Sequence, residues 1–299
     1  MNCLLILNPR SRSAADARAE VLARLRREVR LIGEGPQPPE RLAEILRETG
    51  SERIGRIIVA GGDGTLNACL RDLMDSGLAV GLLPLGTAND CARNLGVPSD
   101  PAAAIDVALH GRVHPVDVAL VNGKPFVNAA TIGLGPKVTK HLTTELKARL
   151  GFLSYPRALL SAYRESRPFR TLVRGQEGQE LRLRCLHLAV GNGRYYGGGA
   201  VVGDTARLDE GVLHVSALRP TPLWRLFLQA PLIALGRHRS APDAVAFESC
   251  QVSVETSHAK QVSADGEILA ETPARFEVIP GALRIVVPAE NPGPGVRAP

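Results

Sequence analysis

The stretch Ile57–Asn67, IIVAGGDGTLN, joins an apolar run to a glycine-rich corner and then to a helix-like segment. Gly61, Gly62 and Gly64 let the backbone turn sharply and approach a ligand with no side chain in the way. The amides that open the next helix, around Thr65, Leu66 and Asn67, offer unpaired donors and a partial positive charge to a phosphate. Asp63 in such a corner repels a bare phosphate. It makes sense where a Mg²⁺ lies between, or where the carboxylate handles a proton or a metal. The alternative is a turn in which Asp63 caps a helix.

Two other loops share the design. Asn8-Pro9-Arg10-Ser11 follows the first apolar run, and Pro84-Leu85-Gly86-Thr87-Ala88-Asn89-Asp90 follows the third. In a parallel sheet the strand ends of one polarity lie along one edge, where ligands bind. Three loops of Asn, Ser, Thr, Gly and Asp at that edge form a polar floor for a nucleotide. Later in the chain Asp209-Glu210 precedes Gly211, and Asp265-Gly266-Glu267 forms a second acidic turn. These could supply a metal ligand and a general base; plain turns are the alternative.

Better-known signatures are missing. There is no GxxxxGK[ST], no GxGxxG after the first strand, no HRD or DFG, and no HExxH. His110 and His114 lack the glutamate of a metal motif and read as surface residues.

The elements that must position these loops follow from the apolar spacing. Cys3–Leu7, Arg56–Ala60 and Val80–Leu85 read as buried strands; Ala14–Arg30, Pro39–Thr49, Thr65–Asp75 and Asn89–Asn94 read as helices. Strands spaced by helices predict a mostly parallel sheet covered on both faces. From Val116 the texture changes to short alternating runs: Asp117–Val121, Phe126–Thr131, Arg170–Val173, Leu181–Val190, Val212–Leu218, Gln251–Val254, Arg275–Ile279 and Leu283–Val287. Turns such as Asn122-Gly123 and Pro280-Gly281 punctuate them, which predicts an antiparallel sandwich. Helical insertions fall at His141–Glu165 and Pro222–Gly236. The expected division is residues 1–122 and 123–287, with a Pro/Gly-rich tail from about 288 to 299 that could pack back on the first domain.

Of 299 residues, 44% are hydrophobic and 22% charged, which suits a packed core and excludes wholesale disorder. Only 11 are aromatic, too few for a single-stranded nucleic-acid stacking platform. The net charge is +6, but arginine supplies 31 of the 36 basic residues, a skew that can reflect base composition. Five scattered cysteines without a CxxC pair argue against a disulfide framework or zinc site and for a reducing compartment. MNCLLILNPR reads as a first strand rather than a signal peptide. No run is long enough for a transmembrane helix. Residues 137–184 carry 11 Lys and Arg against 4 Glu, and Leu223–Leu235 could dip apolar side chains into a membrane interface; a helix packed on the sandwich is the plainer reading.

Taken together, NPRS at Asn8, GGDGTLN at Gly61, LPLGTANDCAR at Leu83, FVNAATIGLG at Phe126, VGNGRYYGGG at Val190, ARLDEGVLHV at Ala206 and DGE at Asp265 resemble the diacylglycerol kinase catalytic family, above all its bacterial soluble lipid kinases. Sphingosine kinases are relatives. The pieces keep the family's order and span nearly the whole chain, and GGDGT followed by GTxND is highly specific. The resemblance implies an N-terminal phosphofructokinase-like α/β domain that binds ATP, and a C-terminal β-sandwich that completes the cleft and receives a lipid.

The same resemblance implies roles. Asn8, Pro9, Arg10, Ser11, Arg12, Gly61, Gly62, Gly64, Thr65, Leu66, Asn67, Gly86, Thr87 and Asn89 would contact ATP. Asp63, Asp90 and Asp117 match aspartates tied to Mg²⁺. Arg207, Glu210 and Val212 match a second metal site, with backbone carbonyls from Arg207 and Val212. Asp265 and Glu267 match the catalytic segment, Glu267 being the general base. Arg12 stands where glycine is common, Ala68 where glutamate is usual, and Glu210 where aspartate is usual. The implied activity is transfer of the ATP γ-phosphate to a lipid hydroxyl, such as that of diacylglycerol or phosphatidylglycerol. The implied setting is the cytoplasm, peripheral to the inner membrane face, with no nucleic-acid partner and a homodimer left open. Alternatives are a sphingoid-base or NAD kinase, or a catalytically silent nucleotide sensor.

Overall fold

The computed structural model describes residues 1–7, 15–32, 35–141, 154–196, 200–201, 206–234, 243–290 and 293. The chain divides into two compact units. One comprises residues 1–118, 207–211 and 279–299; the other comprises 119–206 and 212–278.

In the first unit β1 (Asn2–Leu7), α1 (Ala15–Glu28), β2 (Arg30–Leu31), α2 (Leu42–Thr49), β3 (Arg56–Gly61), α3 (Asp63–Ala68), α4 (Leu70–Ser76), β4 (Ala79–Pro84), α5 (Asp90–Asn94) and α6 (Pro101–His110) follow in turn. The strands pair in parallel in the order β2-β1-β3-β4. The last residues of a long final strand add to β4, also in parallel, with Arg284 opposite Ala79. β1 and β3 are buried almost throughout, as continuous apolar strands of a covered parallel sheet should be.

The expected helix over Thr65–Asp75 is two helices. Cys69 leaves helical geometry at φ −119°, so α3 ends one turn after the glycine corner. α6 buries Ala104, Ile105, Ala108 and Leu109; Asp100 caps it by accepting from the Ala103 amide at 2.8 Å, and Pro101 opens its first turn.

The second unit begins within β5 (Arg112–Val121) and continues through β6 (Lys124–Phe126), β7 (Ala129–Gly133), α7 (Leu134–His141), α8 (Ser154–Glu165), β8 (Phe169–Gly175), β9 (Glu180–Cys185), β10 (His187–Gly191), β11 (Tyr195–Tyr196), β12 (Ala200–Val201), β13 (Leu213–Leu218), α9 (Leu223–Ala234), β14 (Ala244–Ser249), β15 (Gln251–Thr256), β16 (Gln261–Ala264), β17 (Glu267–Glu271) and β18 (Ala274–Val287). One antiparallel sheet runs β14-β13-β10-β7-β16-β17. The other runs from the start of β18 through β15 and β8 to β9. Side chains from both sheets share one core: Phe126, Phe169, Val173, Val252 and Phe276 from one, Ile132, Leu188, Val190, Val215 and Val262 from the other. Phe126 and Phe276 meet edge to face at 6.5 Å. This is a β-sandwich.

Three expected runs divide differently. Leu181–Val190 breaks at Leu186, so that β9 joins one sheet and β10 the other. Phe126–Thr131 divides in the same way between β6 and β7. Conversely Pro280-Gly281 does not end a strand: Gly281 at φ +60° bends β18, which continues to Val287. Asn122-Gly123 does make the tight hairpin between β5 and β6, both residues at positive φ.

The insertion expected over His141–Glu165 is helical from Ser154, and residues 142–153 lie outside the described part, as does the tail apart from 288–290 and Gly293. Cys3, Cys69, Cys91 and Cys185 are buried packing residues. Burial pushes the Cys69 and Cys185 thiols up to about 12, which leaves them inert as nucleophiles.

Candidate active site

β3 and β4 lie side by side with Gly61 opposite Pro84, so the two corners that follow them are neighbours. Gly62 leaves β3 in extended geometry and α3 starts at once with Asp63. After β4 the chain turns through Leu85–Ala88 and enters α5 from Asn89, which is held in the left-handed region at φ +50°. The two corners touch backbone to backbone at Gly62 and Gly86. A Cβ on Gly62 would stand 3.0 Å from the Gly86 Cα, and one on Gly86 would overlap the Gly62 backbone outright. Glycine at 86 is therefore a steric requirement rather than a matter of φ. Gly86→Ala should cost about 1–3 kcal/mol by forcing the corners apart. Thermal unfolding checks that, and calorimetric titration with ATP should show affinity falling in parallel.

Side chains lock the second corner. The Asn89 Oδ1 accepts from the Gly86 amide at 3.0 Å, and its Nδ2 donates to the carbonyls of Gly86 at 2.8 Å and Pro84 at 3.3 Å. Asp63 reaches across from the first corner. Its Oδ2 accepts from the Asp90 amide at 3.0 Å and its Oδ1 from the Cys91 amide at 2.9 Å. Asp63 thus caps α5 rather than its own helix, and it ties the GGDG and GTAND segments into one unit. The capping alternative read from sequence is real, with a different helix as its object. A small recess of about 20 Å³, open to solvent, is lined by Val59, Gly61, Gly62, Asp63, Leu66, Leu82, Pro84, Asn89, Cys91 and Ala92.

Thr65 and Asp90 are buried beside the corners. Among the described residues the Asn67 Oδ1 is buried with no hydrogen-bond partner. The segment Asn8–Arg12, expected to be the third loop, lies outside the described residues. Among the described residues no three His, Cys, Asp or Glu side chains gather as a ready metal cage. A Mg²⁺ carried in on phosphates needs no such cage, because one or two carboxylates suffice. The carboxylates at these corners are Asp63, each of whose oxygens accepts a backbone amide, and the buried Asp90.

Asp117 also belongs to the first unit. It is buried, its Oδ2 accepts from the Gly211 amide at 2.6 Å and its Oδ1 from the Gly281 amide at 2.9 Å. Burial pushes its carboxyl above the ordinary aspartate value, while the Gly281 and Gly211 amides pull it back. Its carboxylate staples three chain segments. Asp117→Ala would orphan both amides and should lower stability by about 2–4 kcal/mol. Denaturant unfolding checks this, and the loss should be the same with and without Mg²⁺.

The neighbouring acidic turn is also internally answered. The Arg207 Nε donates to the Asp209 Oδ1 at 3.1 Å, and another guanidinium nitrogen lies 3.0 Å from the Glu210 Oε1. The His114 Nε2 lies 3.0 Å from the Asp209 Oδ2. His114 is therefore an internal partner of Asp209, not the surface residue its sequence suggests; His110 is exposed. A cation at Glu210 would share that carboxylate with the Arg207 guanidinium.

In the second unit Asp265 and Gly266 form the β16–β17 turn, at φ +47° and +92°. The Asp265 carboxylate accepts from the amides of Val127 at 2.7 Å, Asn128 at 3.1 Å and Ala129 at 3.1 Å. These are the residues where the chain passes from β6 to β7. Asp265 thus ties the β16–β17 turn, which leads into Glu267, to the passage from β6 to β7. Glu267 opens β17 and is exposed to solvent.

The profile of the diacylglycerol kinase catalytic domain matches residues 2–121, and that of the YegS C-terminal NAD kinase beta sandwich-like domain matches residues 129–287. The chain belongs to the diacylglycerol kinase catalytic family. It is 36% identical over 239 residues to the probable lipid kinase YegS-like of Klebsiella pneumoniae, covering 79% of each chain. It is 34% identical to the probable lipid kinase YegS of Salmonella typhimurium, covering 97% of each. A crystal structure titled as a candidate diacylglycerol kinase from Bacillus anthracis superposes with a TM-score of 0.78 at 27% identity, covering 96% of each chain.

Proposed function

We propose that the protein transfers the γ-phosphate of ATP to the hydroxyl of a lipid. The observation that carries this reading is the pair of fused glycine corners, Gly62 against Gly86, cross-linked by Asp63. It is supported by family membership and by relatives named as probable lipid kinases.

The phosphates bind at the glycine corners, where the α3 amides add donors and partial positive charge. Asn89 and Asp63 hold those corners rigid, so little reorganisation is needed as charge shifts to the leaving oxygen. Asp63 and Asp90 supply oxygen donors for a Mg²⁺, which would neutralise the phosphate oxygens. Asn8–Arg12 and Thr87 complete the nucleotide contacts. Glu267 accepts the proton of the lipid hydroxyl as its oxygen attacks the γ-phosphorus, and ADP departs. Asp265 sets the position of Glu267 through three backbone amides. The division into residues 1–122 for ATP and 123–287 for the lipid is the working assignment. Asp117 and the Arg207–Val212 segment act chiefly as structural ties, and a second cation there is a subsidiary proposal.

The test is incubation with labelled ATP, Mg²⁺ and a panel of acceptors comprising diacylglycerol, phosphatidylglycerol, ceramide, sphingosine and NAD. Mass spectrometry identifies the product. A phosphorylated glycerolipid is expected; phosphorylated NAD or sphingosine alone would move the enzyme to another branch, and ATP binding without any product would make it a sensor.

A further inference from the structure

α9 has two apolar faces, and only one of them is used by the fold. On the inner face Leu226 packs with Leu134, Ala162, Leu186 and Leu218, and Gln229 is buried with its amide donating to Asp243 at 2.6 Å. On the outer face Trp224 is 65% exposed, Phe227 37% and Leu228 71%. Positions i, i+3 and i+4 of a helix form one stripe, so these three side chains make a single patch. A surface helix ordinarily turns charged residues outward there.

The surroundings indicate what covers the patch. Arg219 and Arg225 are exposed at the start of the same helix, and Arg157, Arg164 and Arg167 are exposed on and just after α8, which packs against α9 through Leu159, Ala162 and Tyr163. Glu165 is the exposed acid among them. A tryptophan flanked by leucine, phenylalanine and arginines matches the headgroup level of an anionic bilayer, where the ring stays half-wet and the cations meet lipid phosphates. No described helix is long and apolar enough to cross a membrane. A 12-residue helix with this stripe lies in the interface plane.

We propose that the Trp224–Phe227–Leu228 face of α9 seats the protein on an anionic lipid bilayer. The proposal rests on the reading of the protein as a lipid kinase, since it supplies the surface from which such a substrate would be drawn.

Trp224 is the chain's single tryptophan, so its fluorescence reports the event directly. The full chain is titrated with phosphatidylcholine vesicles with and without phosphatidylglycerol, and phosphorylation of detergent-dispersed diacylglycerol is followed in parallel. Expected is a blue shift on phosphatidylglycerol vesicles that grows with their anionic fraction and weakens at high salt. Leu228→Asp, which leaves the reporter in place, should reduce vesicle affinity at least about tenfold, as expected for a leucine side chain kept from apolar surroundings. Arg164→Glu should weaken binding to anionic vesicles, and both variants should keep wild-type activity in detergent. No shift, an equal shift on neutral vesicles, or a shift without vesicles that grows with protein concentration would overturn the proposal, the last by showing that the face joins two copies. Absence of the shift in the unsubstituted chain, with its detergent activity intact, refutes docking alone; a vesicle shift with no phosphorylation of any acceptor refutes the kinase reading alone.

Discussion

Asp63→Asn is expected to slow phosphoryl transfer by about a thousandfold or more. Two roles meet in this carboxylate. It caps α5 through the amides of Asp90 and Cys91, and in the proposed mechanism it supplies negative charge to a cation on the phosphates. Asparagine has one acceptor oxygen, so it can keep one amide but turns its own NH₂ toward the other. The charge is lost entirely. The fold should survive with a modestly lower melting temperature, because one orphaned amide costs about 1–3 kcal/mol. Initial rates at saturating ATP and Mg²⁺, with circular dichroism on the same sample, separate the two roles. A folded Asp63→Asn protein turning over within threefold of wild type would show that Asp63 is a cap and nothing more.

Glu267→Gln should lose about 10²- to 10⁴-fold in rate for a different reason. The side chain is exposed at the first position of β17 and holds no strand in place. Its replacement should leave stability within about 0.5 kcal/mol and ATP affinity unchanged. The variant therefore isolates proton removal from binding and folding. Asp265→Ala behaves otherwise: it frees the amides of Val127, Asn128 and Ala129, so it should lower both stability and rate. Matched unfolding curves and rates for the two variants distinguish the group that acts from the group that positions it.

Much of this was legible in the residues. The glycine corner at 61–64 and the GTAND segment announced themselves because a tight backbone approach has no substitute for glycine. The switch from helix-spaced to alternating apolar residues near Val116 marked the change from parallel sheet to sandwich. What could not be read was direction. Leu181–Val190 is one alternating run in sequence, yet the chain changes sheets at Leu186, and nothing local encodes which sheet receives a strand. Pro280-Gly281 looked like a turn, whereas parallel pairing beyond it carries β18 onward beside β4. α6 was missed although both Asp100-Pro101, a start signal, and the helically spaced Ala104, Ile105, Ala108 and Leu109 were there to be read. At the site, sequence named Asp63 and Asp265 but not their partners. That Asp63 caps the helix after the other corner, and that His114 pairs with Asp209, depends on contacts made over 27 and 95 residues.

The most direct measurement is a single turnover with enzyme in excess over γ-labelled ATP, in the presence of diacylglycerol dispersed in phosphatidylglycerol vesicles. Label should leave ATP and be recovered in a lipid phosphate, mole for mole with the ADP formed. Release of the label as inorganic phosphate with the lipid untouched would show that water, not a lipid hydroxyl, is the acceptor, and would contradict the account.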